Sequence, residues 1–430
     1  YCKIMIAEIK KGYWTVALLF SVSFSFAQLP DHVFRSNIKS IKLIRSGDPY
    51  SYPVINLNSS DQLYLTFDDL DGDIKNYYFT YQLCNADWTP ATINAFDFIK
   101  GFQNTRISTY RNSSLSAVHY TNYQASVPDR NSTPSRSGNY LLKVFLDSDT
   151  SQLVFTKRFL VVENKASIGL QILQPFNASL YYTHQKLRIT VSTNNRINNI
   201  SQQDLKVVAL QDYIWQDARM MDRPDIYRGN YFEYSDESKT AFPGGKEWRW
   251  IDLRSLRLMS ERMMKLDKLN KRTEVYVKPD VDRTGQAYIQ YVDLNGLYTI
   301  ENTDNINPNW QSDYAEVYFT YLPPGGRAYE GKKVYLFGEM TNYSFDDAVE
   351  MKFNSEKGVY ENSLILKQGY YNYRYVTVNT DDMHGPISYE NTEGNYWGTE
   401  NAYSVMVYYR PFGGRADELI GFTTTNSISR

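Results

Sequence analysis

The sequence is poor in the side chains that carry out most metal and acid–base chemistry. It has four histidines, His32, His119, His184 and His384, and two cysteines. No two histidines have the spacing of a metal-binding pair, and the H-E-x-x-H pattern is absent. A G-x-S-x-G nucleophile elbow and the glycine-rich loops that bind phosphates are absent too. We therefore predict no catalytic residue, no cofactor and no metal. Two carboxylates that converge in space for glycoside hydrolysis stay open as an alternative.

Cysteine and net charge exclude two further classes of protein. Cys2 precedes the apolar run near the N-terminus, so Cys84 is the one cysteine after it, and a single thiol forms no internal disulfide. The formal net charge is −2, with both signs interspersed. A nucleic-acid-binding protein needs a basic stripe, so we expect no nucleic-acid partner.

The N-terminus has the pattern of an export signal. Lys10 and Lys11 precede the apolar run Trp14–Phe24, and the small residues Ser25 and Ala27 follow it. We predict that residues 1–27 are a signal peptide cleaved before Gln28. An N-terminal membrane anchor is the alternative. No later segment is long and apolar enough for a membrane helix, so we expect an exported protein without direct membrane insertion.

Strand-like runs recur along the whole chain, with almost no helical periodicity. Tyr140–Leu146 and Leu153–Val162 flank a short polar link and predict a hairpin. Regular strand spacing with turn signals predicts an all-β fold of three tandem β-sandwich, immunoglobulin-like domains. The predicted domains are an N-terminal sandwich (28–163), a β-rich middle domain (164–312) and a C-terminal domain (313–430).

Two segments allow more than one structure. In residues 250–272, Leu256, Met259, Met263 and Leu266 have the spacing of an amphipathic helix, but no clean cap precedes them, and we favour a strand followed by an ambiguous piece. The segment Asp69–Asp73 has alternating oxygen ligands like a calcium loop. The position where such a loop needs glutamate is Thr80, so we predict a hairpin turn instead.

Tyrosine is the most over-represented residue type, with 38 copies. Tyrosine fits the wall of a β-sheet and also lines binding faces, because its ring buries area while its hydroxyl stays hydrogen-bonded. The paired aromatics Tyr181–Tyr182 and Tyr370–Tyr371, with Trp397, suggest a platform for a sugar or a peptide. Adjacent strand positions point to opposite faces, so one member of each pair is expected to face a ligand.

Residues 65–162 resemble the N-terminal domain of the type IX secretion system plug protein family of Bacteroidetes. The segments that carry the resemblance are Phe67–Leu70, Tyr77–Trp88, Phe98–Phe102, Ser137–Val144 and Lys157–Glu163, with Phe242–Leu256 and Asp293–Gly296 further along the chain. The family tends to have histidine just before the cysteine, where this chain has Leu83.

The resemblance implies a function that residue chemistry alone does not suggest. Plug proteins lie in the periplasm, on the periplasmic face of the outer membrane, and close the translocon barrel of the type IX system when no cargo is engaged. We therefore expect a non-enzymatic plug with that barrel as its partner. Exposed-looking aromatics are the candidate contacts, because aromatic anchors dominate interface energies. They are Trp88, Tyr182, Tyr343 and Trp397.

The C-terminal domain is similar to early-set immunoglobulin-like modules found in glycogen-binding proteins. Val334–Tyr343, Gly358–Tyr360 and Leu364–Tyr375 carry this similarity. Sugar-binding members commonly have tryptophan where this chain has Tyr343. A periplasmic or surface glycan-binding protein is therefore the alternative function.

Overall fold

The structure is a computed structural model that describes residues 30–193, 196–197, 200–269, 272–382 and 386–428. The predicted signal peptide and His384 lie outside these ranges. Within them the chain forms β-sheets that pack as sandwiches, so the all-β, multi-domain prediction is confirmed. Two helices of one turn each accompany the strands, α1 (Glu237–Thr240) and α2 (Pro308–Gln311). No helix in the described ranges has the length and apolarity needed to cross a bilayer.

The N-terminal sandwich is built from two sheets around one aromatic-rich core. The front sheet has the strand order β1-β3-β8-β7, the back sheet has the order β2-β11-β10-β4-β6, and β5 pairs with β9. The strands are β1 (Ile38–Arg45), β2 (Val54–Asn56), β3 (Leu63–Asp69), β4 (Tyr77–Cys84), β5 (Ile99–Gly101), β6 (Thr105–Arg106), β7 (Thr109–Asn112), β8 (Thr121–Val127), β9 (Ser132–Pro134), β10 (Gly138–Leu146) and β11 (Leu153–Val162). Strands β10 and β11 pair as the predicted hairpin.

The acidic segment Asp69–Asp73 forms a turn, but the predicted hairpin is wrong. Strand β3 before the turn pairs with β1 and β8, whereas β4 after it pairs with β10 and β6. The turn therefore carries the chain from the front sheet to the back sheet. The alternation of apolar residues predicts both strands but does not reveal which partner each strand chooses, because the partners are distant in sequence.

The middle sandwich is discontinuous in sequence. One sheet has the order β12-β13-β17-β16, with β18 added to β13, and the other has the order β15-β14-β29-β30. The strands are β12 (Ser167–Leu173), β13 (His184–Ser192), β14 (Leu205–Gln211), β15 (Arg219–Met221), β16 (Ile226–Arg228), β17 (Tyr231–Tyr234), β18 (Ala241–Pro243), β29 (Ala402–Tyr409) and β30 (Glu418–Asn426). The last two strands come from the predicted C-terminal domain.

The third sandwich is inserted between Pro243 and Ala402. A ten-stranded sheet with the order β19-β28-β25-β26-β27-β24-β21-β20 wraps around its core, with β22 on β24 and β23 on β28. The strands are β19 (Arg249–Asp252), β20 (Met263–Leu269), β21 (Arg272–Val277), β22 (Asp280–Val281), β23 (Tyr298–Thr299), β24 (Tyr314–Leu322), β25 (Lys332–Phe337), β26 (Glu350–Asn354), β27 (Val359–Lys367) and β28 (Tyr370–Asn379).

The sheets therefore place the domain boundaries elsewhere than the predicted 312/313 division. Strands β19 to β23, predicted in the middle domain, belong to the third sandwich, and β29 and β30 return to the middle one. In the ambiguous segment 250–272, the helix alternative is wrong, because Met263 and Leu266 lie in the edge strand β20. The polar segment 301–313 contains α2, which packs on the N-terminal sandwich and is more than a linker.

The N-terminal and middle sandwiches share an apolar interface. The outer face of the back sheet places Leu160 and Val162 against Val208, Met406 and Leu419 of the middle sandwich. A polar contact lies beside them, where the hydroxyl of Tyr408 donates to Asn139 Oδ1 over 2.7 Å. Apolar burial of this kind supplies most of the free energy that holds two domains together.

The N-terminal and third sandwiches are joined by a buried ion pair. The ammonium of Lys367 on β27 lies 2.5 Å from Asp68 on β3, and both side chains are almost fully buried. The hydroxyl of Tyr314 donates to the same carboxylate over 2.6 Å. Burial lowers the pKa of Lys367, and the charge of Asp68 offsets part of this effect. Because a separated buried charge is costly, the pair fixes the orientation of the two sandwiches.

A second ion pair reinforces this interface about one strand away. Lys42 on β1 lies 2.6 Å from Glu339, which follows β25. The same ammonium donates to the carbonyl of Tyr298 over 2.9 Å. The hydroxyl of Tyr298 in turn donates to the carbonyl of Ile41 over 2.9 Å. The polar groups of Lys42, Glu339 and Tyr298 therefore satisfy one another across this interface.

We predict that breaking the Asp68–Lys367 pair uncouples the N-terminal sandwich from the rest of the chain. The substitution Lys367→Met leaves a buried carboxylate without its cation, which costs about 3–5 kcal/mol. Urea denaturation followed by tryptophan fluorescence is expected to show a separate early transition in the variant. Lys352→Met, which removes a largely exposed lysine of the same sandwich, is the control. Equal behaviour of the two variants would contradict a coupling role for the pair.

Candidate interaction surfaces and the cleft between domains

The four aromatic residues predicted as contacts fall into two groups. Tyr182 lies on the middle sandwich, and Trp397 lies beside it in the segment before β29, where the backbone N–H of Trp397 donates to the carbonyl of Tyr182 over 3.0 Å. Trp88 and Tyr343 lie at the junction of the three sandwiches. The Trp88 ring packs on Trp215, and the side chain of the next residue, Gln216, donates to the carbonyl of Tyr343. The structure thus brings the four residues together as two pairs on different elements.

At the junction, Trp88 belongs to a half-buried cage around a cation. The guanidinium of Arg158 lies 5.0 Å from the Trp88 ring centre and 5.4 Å from that of Trp215, and the two rings meet edge to face at 4.9 Å. Arg158 also forms a 2.5 Å ion pair with Asp31. Burial alone would raise the pKa of Asp31, but Arg158 and Lys157 outweigh it, so the net pKa is lowered. The Trp88 ring is therefore engaged by Arg158 and Trp215 within the chain.

Tyr343 forms part of the same junction rather than a free platform. Its ring packs edge to face on Phe337 at 5.2 Å, and its carbonyl accepts a 2.8 Å hydrogen bond from the Gln216 side chain. Its φ of 52° places it in the left-handed region, in the tight turn after β25. Burial raises its pKa well above the usual value for tyrosine. The half-buried ring offers little free face for a sugar to stack on.

Two hollows adjoin this junction. A small cavity of about 60 Å³ lies beside Tyr52, Tyr213 and Tyr343. A larger cleft of about 420 Å³ lies between β1 of the N-terminal sandwich and β27 of the third sandwich. Asp31, Glu339 and Asn342 border both. Sequence reasoning missed the cleft, because its walls come from segments about three hundred positions apart and no local pattern joins them.

Tyr182 lies on a well-anchored surface loop, which we call the aromatic loop (Gln174–Thr183). Its two most exposed aromatics are Phe176, 86% exposed, and Tyr182, 71% exposed. Glu237 on α1 accepts hydrogen bonds from the backbone N–H groups of Phe176 and Asn177 over 2.8 and 2.9 Å. Tyr181 and Tyr182 lie in a turn rather than on a strand, so the predicted opposite-face rule does not apply to them. The loop presents apolar area on a fixed support.

The acidic turn has its own cation. The ammonium of Lys75 lies 2.8, 2.5 and 3.1 Å from carboxylate oxygens of Asp69, Asp71 and Asp73. These three oxygens are close enough together to hold a metal ion, but the lysine sits among them. Burial alone would raise the pKa of Asp69, yet hydrogen bonds from Lys75 and its neighbours lower it overall. The arrangement is that of a structural turn in which Lys75 occupies the position between the three carboxylates.

A group of buried carboxylates, which we call the acidic interior, lies between the middle and third sandwiches. It consists of Asp212, Glu247 and Asp293 around Trp248. The indole N–H of Trp248 donates to Asp212 over 3.0 Å, and the Arg374 guanidinium stacks on the same indole at 4.0 Å. Burial raises the pKa values of Asp212 and Glu247 to about 7 and that of Asp293 to about 6.

The acidic interior contrasts with a fully paired carboxylate nearby. Arg249 and Arg283 both contact Glu393, and their charges outweigh burial and lower its pKa to about 2. In the acidic interior, the single cation Arg374 acts on all three carboxylates, so burial outweighs its charge and the pKa values are raised. None of these carboxylates borders either hollow at the junction. The hydrolase alternative therefore gains no support from them.

The comparisons with known proteins decide the family. Residues 38–163 match the family described as the type 9 secretion system plug protein 1st domain. A crystal structure of a hypothetical protein from Parabacteroides merdae is similar over 93% of this chain and 99% of its own, at 30% identity and a TM-score of 0.88. The chain belongs to the type 9 secretion system plug protein family. No protein with a curated function matches it.

Membership of the plug family carries the first functional conclusions. This plug-family protein has a role in type IX secretion, and the family implies a location in the cell envelope. The family is associated with secretion and not with catalysis. The lack of an enzymatic activity in this chain stays a prediction, and so does the role of each of the four aromatic contact residues.

We predict that calcium does not stabilise this plug-family protein, because the ammonium of Lys75 already occupies the position between the three carboxylates of the acidic turn. Added calcium or a chelator is expected to leave the thermal unfolding temperature unchanged. Lys75→Met is expected to destabilise the protein by about 1–3 kcal/mol, since buried Asp69 loses its cation. The control is Lys100→Met, which removes an exposed lysine that has no ion-pair partner in the described residues. A calcium-dependent rise in the unfolding temperature of the unmodified protein would contradict the prediction.

We predict that the acidic interior weakens the protein as the pH rises. The folded state holds the Glu247 proton more tightly than the unfolded chain, with a pKa of about 7 against an ordinary 4.5. The stability that this proton contributes is therefore present below about pH 4.5 and is lost as the pH rises through about 7. The unmodified protein is therefore expected to lose on the order of 2–3 kcal/mol of unfolding free energy over this pH range, and Glu247→Gln is expected to remove that loss.

The measurement is the free energy of unfolding in urea across this pH range. Glu330→Gln, at an exposed position, is the matched control and is expected to leave the pH dependence unchanged. A pH dependence in Glu247→Gln as steep as in the unmodified protein would show that Glu247 is already ionised in the fold.

Proposed function

We propose that this protein closes the periplasmic mouth of the type IX outer-membrane translocon when no cargo is engaged. Membership of the plug family supports the choice of system. The observation that carries the mechanism is the joining of three sandwiches by buried contacts, in particular the Asp68–Lys367 pair and the apolar interface around Met406.

A stopper for a wide pore must keep its shape under thermal motion. A pore wide enough for folded cargo leaks solutes when it is idle, and a flexible chain would not seal it. Domains within one chain usually move when their interface is small and polar. Here each neighbouring sandwich is held by buried charges or by a continuous apolar contact, which favours one stiff body. Closing a pore therefore requires a stiff protein with a wide contact area and does not require a reactive group.

The aromatic loop is the proposed contact with the translocon. Phe176 and Tyr182 are the exposed anchors, and the backbone N–H of Trp397 donates to the carbonyl of Tyr182. Aromatic anchors surrounded by polar residues suit an interface that forms and releases, because their burial gives affinity without a large apolar surface. Trp88 and Tyr343 are proposed to act from the junction, by keeping the sandwiches in register.

We predict that deletion of the gene makes the outer membrane permeable to large hydrophilic antibiotics, because the idle pore is left open. The measurement is the antibiotic sensitivity of the deletion strain with and without a plasmid copy of the gene. Normal exclusion of these antibiotics by the deletion strain would contradict closure of the pore, while leaving a role in secretion intact.

We predict that Phe176→Ala combined with Tyr182→Ala weakens co-purification with the translocon barrel by about tenfold or more, as loss of interface hot spots does. Both side chains are exposed, so the fold is expected to be unaffected. Phe412→Ala, which removes an even more exposed aromatic after β29, is the control. Unchanged recovery of the barrel with the double variant would show that the contact with the translocon lies on another face of the protein.

A further inference from the structure

The cleft between the N-terminal and third sandwiches has the charge pattern of a binding site. Its carboxylates Asp31 and Glu339 are neutralised, the first by Arg158 and the second by Lys42. Two cations then remain on the N-terminal wall, Lys39 and Arg35. Neither has an ion-pair partner among the residues that the structure describes. The cleft therefore keeps positive charge on that wall in a chain whose net charge is −2.

Lys39 is the more enclosed of the two cations. It lies half-buried on β1, and burial lowers its pKa, with no opposing carboxylate among the causes. An ammonium in this position gains more from an incoming anion than an exposed lysine does, because water screens it less. Arg35 contributes the second charge and makes one weak contact, over 3.4 Å, to the Gln152 side chain. Lys39 and Arg35 form what we call the basic wall, and His32 lies beside them.

Anionic groups on the opposite side are few. Among the residues that line the cleft, Asp346 is the one carboxylate without a cation, and it lies exposed at the mouth. The third-sandwich wall otherwise offers uncharged polar groups, such as those of Ser344 and Asn342, and the half-exposed apolar side chain of Ile365. An occupant therefore meets cations on one wall and uncharged polar and apolar groups on the other.

The size of the cleft admits a short extended occupant. Strand β1 is the outermost strand of the front sheet, and Ile38 to Ile41 on β1 line the cleft. The Ile38 N–H is bonded to Arg35 and the Ile41 carbonyl to Tyr298, so an extended segment can pair with at most the short stretch between them. The volume of about 420 Å³ is within the usual range for a ligand site. A small anion would satisfy the charge but would leave the apolar groups of the cleft unused.

We propose that this cleft binds an extended acidic segment of a partner protein, with carboxylates on Lys39 and Arg35 and an apolar side chain on Ile365. The chemistry does not depend on whether the protein closes a pore, so the inference goes beyond the proposed function. The aromatic loop lies on the middle sandwich, whereas the walls of the cleft come from the other two sandwiches, which makes the cleft a separate binding site.

The test uses the full mature chain and a short fluorescein-labelled peptide of alternating valine and glutamate. Fluorescence anisotropy measures its binding, and a peptide of alternating valine and glutamine is the uncharged control. The acidic peptide is expected to bind and the uncharged one is not. Lys39→Gln and Arg35→Gln are each expected to weaken binding about tenfold, the size of one charge-assisted contact. Lys100→Gln removes an exposed lysine outside the cleft and is expected to change nothing.

Each other outcome overturns the proposal. No binding of the acidic peptide, or binding that Lys39→Gln and Arg35→Gln leave unchanged, would exclude the cleft as its site. An equal loss with Lys100→Gln would show non-specific attraction. Citrate is the small-anion arm, and citrate binding that depends on Lys39 while the peptide does not compete would replace the peptide with a free anion. If Lys39→Gln fails to fold, Arg35→Gln, nearer the solvent, carries the same comparison.

Discussion

The buried pairing of Asp68 with Lys367 is the constraint on which the arrangement of the N-terminal and third sandwiches depends. A buried ion pair adds little net stability compared with apolar packing, but separating its members is costly. The pair therefore selects one relative orientation rather than simply adding affinity. Lys42 and Glu339 form a second ion pair at the edge of the same interface, and the cleft lies beside this pair.

Nesting of the third sandwich within the middle one has a mechanical consequence. The chain crosses between these two sandwiches twice, after Pro243 and before Ala402, so neither can swing on a single linker. The acidic interior lies along this double crossing, beneath Trp248. The two chain crossings and the buried polar contacts together restrict the motion of the middle and third sandwiches relative to each other. The N-terminal sandwich packs against both of them.

Much of the fold follows from the sequence, because strand alternation is a local property. The hairpin of β10 and β11 is an example, since its two strands adjoin and its polar link sits between them. The strand β4 shows the limit, because its alternation is equally compatible with a hairpin to β3 and with a place in the other sheet. The exposure of the aromatic side chains has the same limit. The sequence does not distinguish Trp88 from Tyr182, because contacts with residues distant along the chain make Trp88 half-buried and leave Tyr182 exposed.

The sequence by itself determined the all-β class, the turn at Asp69–Asp73 and the family, because these depend on residue order over short spans. The tertiary structure decided the nested order of the sandwiches, the pairing of Asp68 with Lys367 and the basic wall of the cleft. Each of these joins groups whose positions are set by sheet pairing and by domain packing. Long-range pairing is selected by the free energy of the whole core, which no short stretch of residues contains.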